Sequence, residues 1–533
     1  MPPNLDFCTQ LLRIFIHMNR HLIIFLSLLA SVSVCNPSFG KADKFRCMWR
    51  ESPATTMVIG WNQVSGINPI ICFGPIDYGQ DASKYPSVKK ADRVVAFHEM
   101  SNHFVRLTGL KPNTNYFFII KDSEGVSKRY YFRTTPDDPT SRLSIAAGGD
   151  SRNMREACRK ANLMVAKLKP HFVLFGGDMT DSDSPMQWIQ WMDDWQYTIA
   201  DDGRMTPIVV ARGNHEYSNQ SLIDLFDVAS SNLYYKLTFC GDLLSVITLN
   251  SLIATGGDQK DWLASALAGD QDKTWRIVQY HFPIRPHTSA KLERNDQAVN
   301  WSTLFQKYNV NLAIESDAHL AKITHPIKPF LGPGNDEGYI QDASGTTYIG
   351  EGGWGAPLRQ NNDDKDWTMA SGSFNHFNWL WVDQMGIQIR TVKTDAAEKV
   401  EELNANNPFA IPKGIDLWNM GENGTTVTLP RKDFNNNALF ASRGSETESA
   451  PSIEVLRPDG TGKIRFSYTL DAKSDLQLAL IDGKDKAIQS TTVPAQAPGR
   501  YDRQIETRNV PPGKYILILK ANGKLMKKFI VMK

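Results

Sequence analysis

The strongest constraint in this chain is a pattern repeated between residues 143 and 319, in which a short apolar run is followed closely by Asp, Asn or His. Leu143 to Ala147 leads into Gly148-Gly149-Asp150-Ser151-Arg152, and Phe172 to Phe175 into Gly176-Gly177-Asp178. Ile208 to Val210 precedes Gly213-Asn214-His215-Glu216, Ile277 to Tyr280 ends at His281, and Val310 to Ile314 precedes Ser316-Asp317-Ala318-His319. Runs this short, bounded by turn residues, read as buried strands, and Leu244 to Leu249 is another. Arg155 to Leu168, which stops before Pro170, reads as a helix between the first two. The alternation continues to about residue 395 and predicts an α/β domain over 141–395.

Ligands of open α/β sheets collect at the carboxyl ends of the strands, where these polar residues fall. Asp150, Asp178, Asn214, His281, Asp317 and His319 together make a mixed oxygen and nitrogen shell, suited to hard or borderline divalent metals. Any one Gly-Asp is ordinarily a turn; the ordered set carries the argument. Trp188, Trp191 and Trp195 recur at helical spacing and read as a packed face. Gly350-Glu351-Gly352-Gly353-Trp354-Gly355 lacks the Lys-Ser/Thr of a nucleotide loop and reads as a pocket rim, with Trp354 against the leaving group.

At 533 residues the chain needs several cores, so a multidomain protein is expected. Residues 41–137 alternate apolar and polar side chains between turns, which predicts an N-terminal β-sandwich. Residues 396–450 are polar and rich in Asn and Glu, an irregular extension or linker. Residues 451–533 return to β patterning and predict a C-terminal β-sandwich. The first forty residues differ: Arg20 and His21 precede the apolar run Leu22 to Ala30, and Ser38-Phe39-Gly40 suits a signal-peptidase site. Residues 1–40 are therefore expected to be a signal peptide, with Met18 an alternative start and a retained anchor the competing reading. No later segment is apolar enough to span a bilayer. Export would leave Cys47, Cys72, Cys158 and Cys240, and would permit a Cys47–Cys72 bridge that spacing alone does not establish. A formal net charge of +2 gives no reason to expect nucleic acid as a partner.

The ordered strand-tip set resembles the calcineurin-like metallophosphoesterases, and among them the purple acid phosphatases, over about residues 41–385. Val105 to Tyr116, with Trp61 upstream and Phe132 to Pro136 downstream, resembles a fibronectin type III-like module, which those phosphatases carry ahead of the catalytic domain. The resemblance implies a four-layer αββα catalytic domain and two metal ions of the iron, zinc or manganese kind, with magnesium possible. Carried over by position, Asp150, Asp178 and His319 would hold one ion. Asp178, Asn214, His281 and Asp317 would hold the other. Three positions depart from the family pattern. Asp181, counted among the metal candidates, stands where the purple enzymes have a ligating Tyr, so the tyrosinate colour is not expected. Asp317-Ala318-His319 replaces His-x-His, and Arg152 stands where relatives have Gly or His. The terminal run Lys527 to Lys533, apolar with basic flanks, resembles the sorting domains of type IX secretion; a surface-binding sandwich is the alternative.

The leader implies a secreted or cell-surface protein, and the resemblance implies a hydrolase of phosphomonoesters of small molecules, working by direct attack of a hydroxide shared between the metals. His215 would protonate the leaving group, held by Glu216, while Arg152, Asn214 and His287 would bind the phosphoryl oxygens. Two alternatives stay open: a phosphodiesterase or nucleotidase with the same site, and a non-catalytic surface protein on a decayed scaffold.

Overall fold

The period-two alternation of strand side chains decides how the central layers stack. In the computed structural model, Ile145 and Ala147 of the strand Leu143–Gly148 enter one buried cluster while Ala146 enters another. Leu174 divides from Val173 and Phe175 in the same way, and Ile277 and Leu312 divide from Val278 and Ala313. Inward-facing side chains of two seven-stranded sheets therefore share one core. Helices Arg155–Leu168, Pro185–Trp195 and Asn219–Phe226 cover the outer face of one sheet. Helix Asp258–Ala268 and the segment around Trp301 and Phe305 cover the other. The layering is helices, sheet, sheet, helices.

The structure describes residues 41–431, save 331, 333, 334, 336 and 405–407, and then 453–456, 463–470, 473–481, 487–497, 499–506, 510–511, 514–522 and 524–532. The expected signal peptide, 1–40, lies outside the described residues. Among the described residues no helix is long and apolar enough to cross a membrane.

In the first sheet, Leu143–Gly148 and Ile208–Val210 flank Phe172–Phe175 in parallel register. His376–Val382 and Gly386–Lys393 extend it antiparallel. In the second, Leu244–Thr248, Trp275–Gln279, Leu312–Glu315 and Thr347–Gly350 run parallel in that order. The parallel strands bring their carboxyl ends, and the loops after them, to common edges. Part of the expected linker 396–450 belongs to the first sheet: Asp416–Leu417 and Val427–Pro430 pair with Gly386–Lys393. Backbone pairing extends the sheet here, and Val427 and Leu429 pack against the shared core.

Residues 42–133 form two four-stranded sheets. Arginines tie this β domain to the helix Asn219–Phe226. Buried Arg46 donates from Nε to the Leu225 carbonyl at 2.6 Å, and Arg106 binds the Asp227 carboxylate through two bonds of 2.8 Å. Arg50 and Arg93 stand by the same carboxylate at 3.3 and 3.5 Å. Cations at a helix C-terminus meet its negative dipole end and its unpaired carbonyls. Cys47, Cys72, Cys158 and Cys240 are all buried and free, so the permitted Cys47–Cys72 bridge is not formed. The chain divides into units 1–432 and 433–533. In the second, a three-stranded sheet and a four-stranded sheet share an apolar cluster around Leu476, Leu480, Leu517 and Leu519.

Candidate metal centre

The turns after the strands interlock before any side chain is considered. Asp150 N–H donates to the Gly177 carbonyl, and Ser151 and Arg152 donate to that of Asp178, at 2.9–3.1 Å. Ser316 N–H donates to the His281 carbonyl, and His319 N–H to that of Glu351. The Asp317 N–H points at both Asp150 carboxylate oxygens, at 3.0 and 3.1 Å. Asp150, Asp178, Asp317 and His319 all hold φ between 55° and 69°, where a residue with a Cβ costs about 1–3 kcal/mol. Four such residues in one site mean that the surrounding structure dictates their backbone. Gly352, at φ +80°, lets the chain pass so close that a Cβ there would lie 1.9 Å from Asp150 Oδ2.

These turns gather two ligand groups, Asp150 with Asp178 and His319, and Asp178 with His281 and Asp317. All five residues are buried, and within each group the donor atoms lie within 4.8 Å of one another. Asp178 belongs to both. Asn214 completes the second group, with Oδ1 3.0 Å from His281 Nε2. The imidazoles are set for a cation. His281 Nδ1 bonds the Gly176 carbonyl at 2.9 Å and His319 Nδ1 that of Pro357 at 2.8 Å, so each ring turns Nε2 inward. His319 Nε2 is buried without a hydrogen-bond partner. Three carboxylates and two inward imidazole nitrogens, one of them without a hydrogen-bond partner, fit a pair of divalent ions.

The electrostatics agree. Burial alone disfavours charge on the His281 ring, but Asp178, then Asp150 and Asp317, outweigh it and raise its pKa to about 10. Burial likewise opposes ionisation of Asp178, yet His281 and His215 hold it well below the usual carboxylate range. The three carboxylates favour positive charge at the position His281 faces.

The remaining candidates divide. His215 stands at the mouth, with Nδ1 2.6 Å from the Asp181 carbonyl and Nε2 3.9 Å from Asp178 Oδ2. Arg152 reaches Asp178 Oδ2 at 3.4 Å. Asp181 joins neither ligand group; its half-exposed carboxylate is held by Arg152 Nε and Nη2 at 3.0 and 2.6 Å. Glu216 does not hold His215. Its fully buried carboxylate accepts from the backbone N–H groups of Asp178, Met179 and Gly213, and burial, then the Asp178 charge, raise its pKa to about 7. It pins two metal-bearing turns together.

His287 is fully buried, with Nε2 2.6 Å from Thr368 Oγ1 and its backbone N–H donating to Glu351, so it is not presented to a substrate. Trp354 is not a rim residue either: it is buried against Phe175 and Phe377, and its Nε1 donates to Asn162 Oδ1. The Trp188, Trp191 and Trp195 face is core, as expected. Motif reading passed over Lys291, whose ammonium contacts Asp317 Oδ1, and Arg359, whose Nη1 donates to the Asp317 carbonyl at 2.7 Å. Neither sits at a strand tip, so no motif marks them.

Two stacked sheets with such a cluster at their strand ends define a metallophosphoesterase domain. Residues 148–321 match the calcineurin-like phosphoesterase family, and residues 42–134 match the purple acid phosphatase N-terminal domain. A calcineurin-like phosphoesterase domain thus follows a purple acid phosphatase N-terminal domain in this chain. It is 24% identical over 340 residues to purple acid phosphatase 15 of Arabidopsis thaliana, covering 54% of this chain and 62% of that protein. An uncharacterized Mycobacterium tuberculosis protein is 23% identical over 327 residues, covering 52% of this chain and 61% of its own length. The chain thus spans less than two-thirds of these relatives. The yellow lupin (Lupinus luteus) seed purple acid phosphatase shares the fold at TM-score 0.57 and 16% identity, covering 71% of this chain and 76% of that one. PhoD does so at 0.50 and 12%, covering 66% and 85%.

Proposed function

We propose that the chain is a metal-dependent phosphoesterase that hydrolyses phosphomonoesters. The observation that carries this reading is the buried pair of ligand groups sharing Asp178. Asp150, Asp178 and His319 would hold one ion, and Asp178, Asn214, His281 and Asp317 the other. Bound metals supply Lewis-acid activation of water and of the phosphoryl group for direct displacement. Arg152, held by Asp181 through Nε and Nη2, keeps Nη1, 3.4 Å from Asp178, to turn to a phosphoryl oxygen. His215 donates Nδ1–H to the Asp181 carbonyl, which leaves Nε2 to carry the acid proton. As the water oxygen adds to phosphorus, the bond to the leaving oxygen breaks, that oxygen takes the Nε2 proton of the His215 imidazolium, and the proton lost by the water returns to His215 through solvent. Glu216 and Gly352 hold the ligands and touch no substrate.

The export reading accompanies this proposal: residues 1–40 direct secretion, residues 42–134 serve as a fibronectin-like support, and the C-terminal unit engages secretion machinery or the cell surface. The enzyme would then act on phosphorylated small molecules outside the cytoplasm.

The test is hydrolysis of an aryl phosphate and the matching aryl diester after reconstitution with manganese, zinc or iron. Monoester turnover that Asp178→Ala abolishes, and that His215→Ala lowers by about 10²–10⁴-fold, is the expected result. With Asp181 in the tyrosine position, the iron-loaded protein should show no tyrosinate charge-transfer band. Diester turnover alone would move the substrate class. Protein that binds no metal and cleaves neither ester would sink the proposal.

A further inference from the structure

Two cations beside the cluster have no role in the reaction outlined above. Lys291, ten residues beyond His281, places its ammonium on Asp317 Oδ1. The same oxygen lies 3.7 Å from His281 Nε2, so Lys291 sits at the edge of the second ligand group. Its side chain is 21% exposed, so it is not sealed in the core as the carboxylate it contacts is. Among the described residues no other carboxylate lies within 4 Å of it. Arg359 approaches from the loop after Trp354, and its Nη1 donates to the backbone carbonyl of Asp317. Among the described residues its guanidinium has no carboxylate partner. Arg152 differs, since its charge is already engaged by Asp181 and Asp178.

An ammonium has three donors on a flexible stem, so Lys291 can keep one on Asp317 and turn the others to an incoming oxygen. Arg359, anchored by one nitrogen, has donors left over in the same way. Resting on the phosphoesterase reading, we infer that Lys291, seconded by Arg359, receives the non-bridging phosphoryl oxygens and sets a preference for dianionic monoesters over monoanionic diesters. A monoester carries nearly one more negative charge than a diester at neutral pH. One extra charge beside a partly solvated ammonium is worth about tenfold to a hundredfold in binding.

The experiment uses the full chain loaded with metal, as wild type, Lys291→Met and Lys291→Arg. Three quantities are read: metal content by elemental analysis, the dissociation constant of inorganic phosphate by calorimetry, and kcat/KM for the aryl monoester relative to the diester. The Met variant should keep its metal, bind phosphate at least about tenfold more weakly, and lose a similar factor in the monoester-to-diester ratio. The Arg variant should recover most of both. A Met variant of an active enzyme that binds phosphate normally and keeps the ratio would overturn the inference alone. So would a Met variant that loses metal and recovers phosphate binding once metal is forced back. Wild type that binds no metal and cleaves neither ester would overturn the phosphoesterase reading and this inference with it.

Discussion

Replacing Glu216 by glutamine exchanges one carboxylate oxygen for an NH₂ group between two metal-bearing turns. Oε2 accepts from Asp178 N at 3.0 Å and Gly213 N at 2.7 Å, and Oε1 from Met179 N at 2.7 Å. The residue is fully buried, so solvent does not stand in for a lost acceptor. The amide oxygen of Gln can serve the two donors at the Oε2 position. Its NH₂ then faces the Met179 N–H, donor against donor. One buried N–H left unpaired costs about 1–3 kcal/mol. A smaller gain opposes this: burial and the Asp178 charge already disfavour the Glu216 carboxylate, and a neutral amide relieves that strain. The expected net loss is about 1–2 kcal/mol for Glu216→Gln. It rises to about 3–6 kcal/mol for Glu216→Ala, where three donors lose their acceptor. Urea unfolding of chelator-treated protein at pH 8, followed by metal titration, reads both effects. Stability and metal affinity should fall together while the pH profile of kcat keeps its shape, because Glu216 passes no proton to substrate. A Gln variant as stable as wild type, with intact metal affinity but a shifted pH profile, would make Glu216 catalytic and refute the reasoning.

Three further outcomes follow from the same contacts. Gly352→Ala puts a Cβ onto Asp150 Oδ2 at φ +80°, so it should cost at least about tenfold in metal affinity by titration while circular dichroism stays unchanged. Asp227→Ala strands Arg50, Arg93 and Arg106 around an empty position and should lower stability by about 3–5 kcal/mol in thermal unfolding; a loss below 1 kcal/mol would mean that the arginines do not clamp the β domain. Burial, with Arg204 and Arg133, lowers the His171 pKa to about 3, from 6.5 in the unfolded chain. Between those values the unfolded state binds the extra proton, so stability declines as pH falls from about 6.5 towards 3, by up to about 1.4 kcal/mol per unit. His171→Gln should flatten that part of the stability–pH curve.

The strand-tip set was legible in the sequence because each element is local. A buried parallel strand needs a short apolar run, and glycines mark the turns before Asp150, Asp178 and Asn214, while His281, Asp317 and His319 stand out as polar residues close behind such runs. The β patterning of 42–133 and the helix Arg155–Leu168 were readable for the same reason, since period and turn chemistry are written in neighbouring residues. What only the tertiary structure decided depends on partners far apart in the chain. Glu216 reads as a companion of His215 until the turn at 178 folds across it and supplies backbone donors. His287 and Trp354 carry site-like chemistry in site-like loops, but Thr368, Glu351, Asn162 and Phe377 close over them. Lys291 and Arg359 have the opposite history: nothing in their own neighbourhoods marks them, and chain reversal brings both to Asp317. Val427–Pro430 joins a sheet with two apolar side chains, Val427 and Leu429, too few to mark a strand by themselves. Local sequence records what a segment does with its own turns and faces; a side chain's final role is set by whichever distant group pays its desolvation.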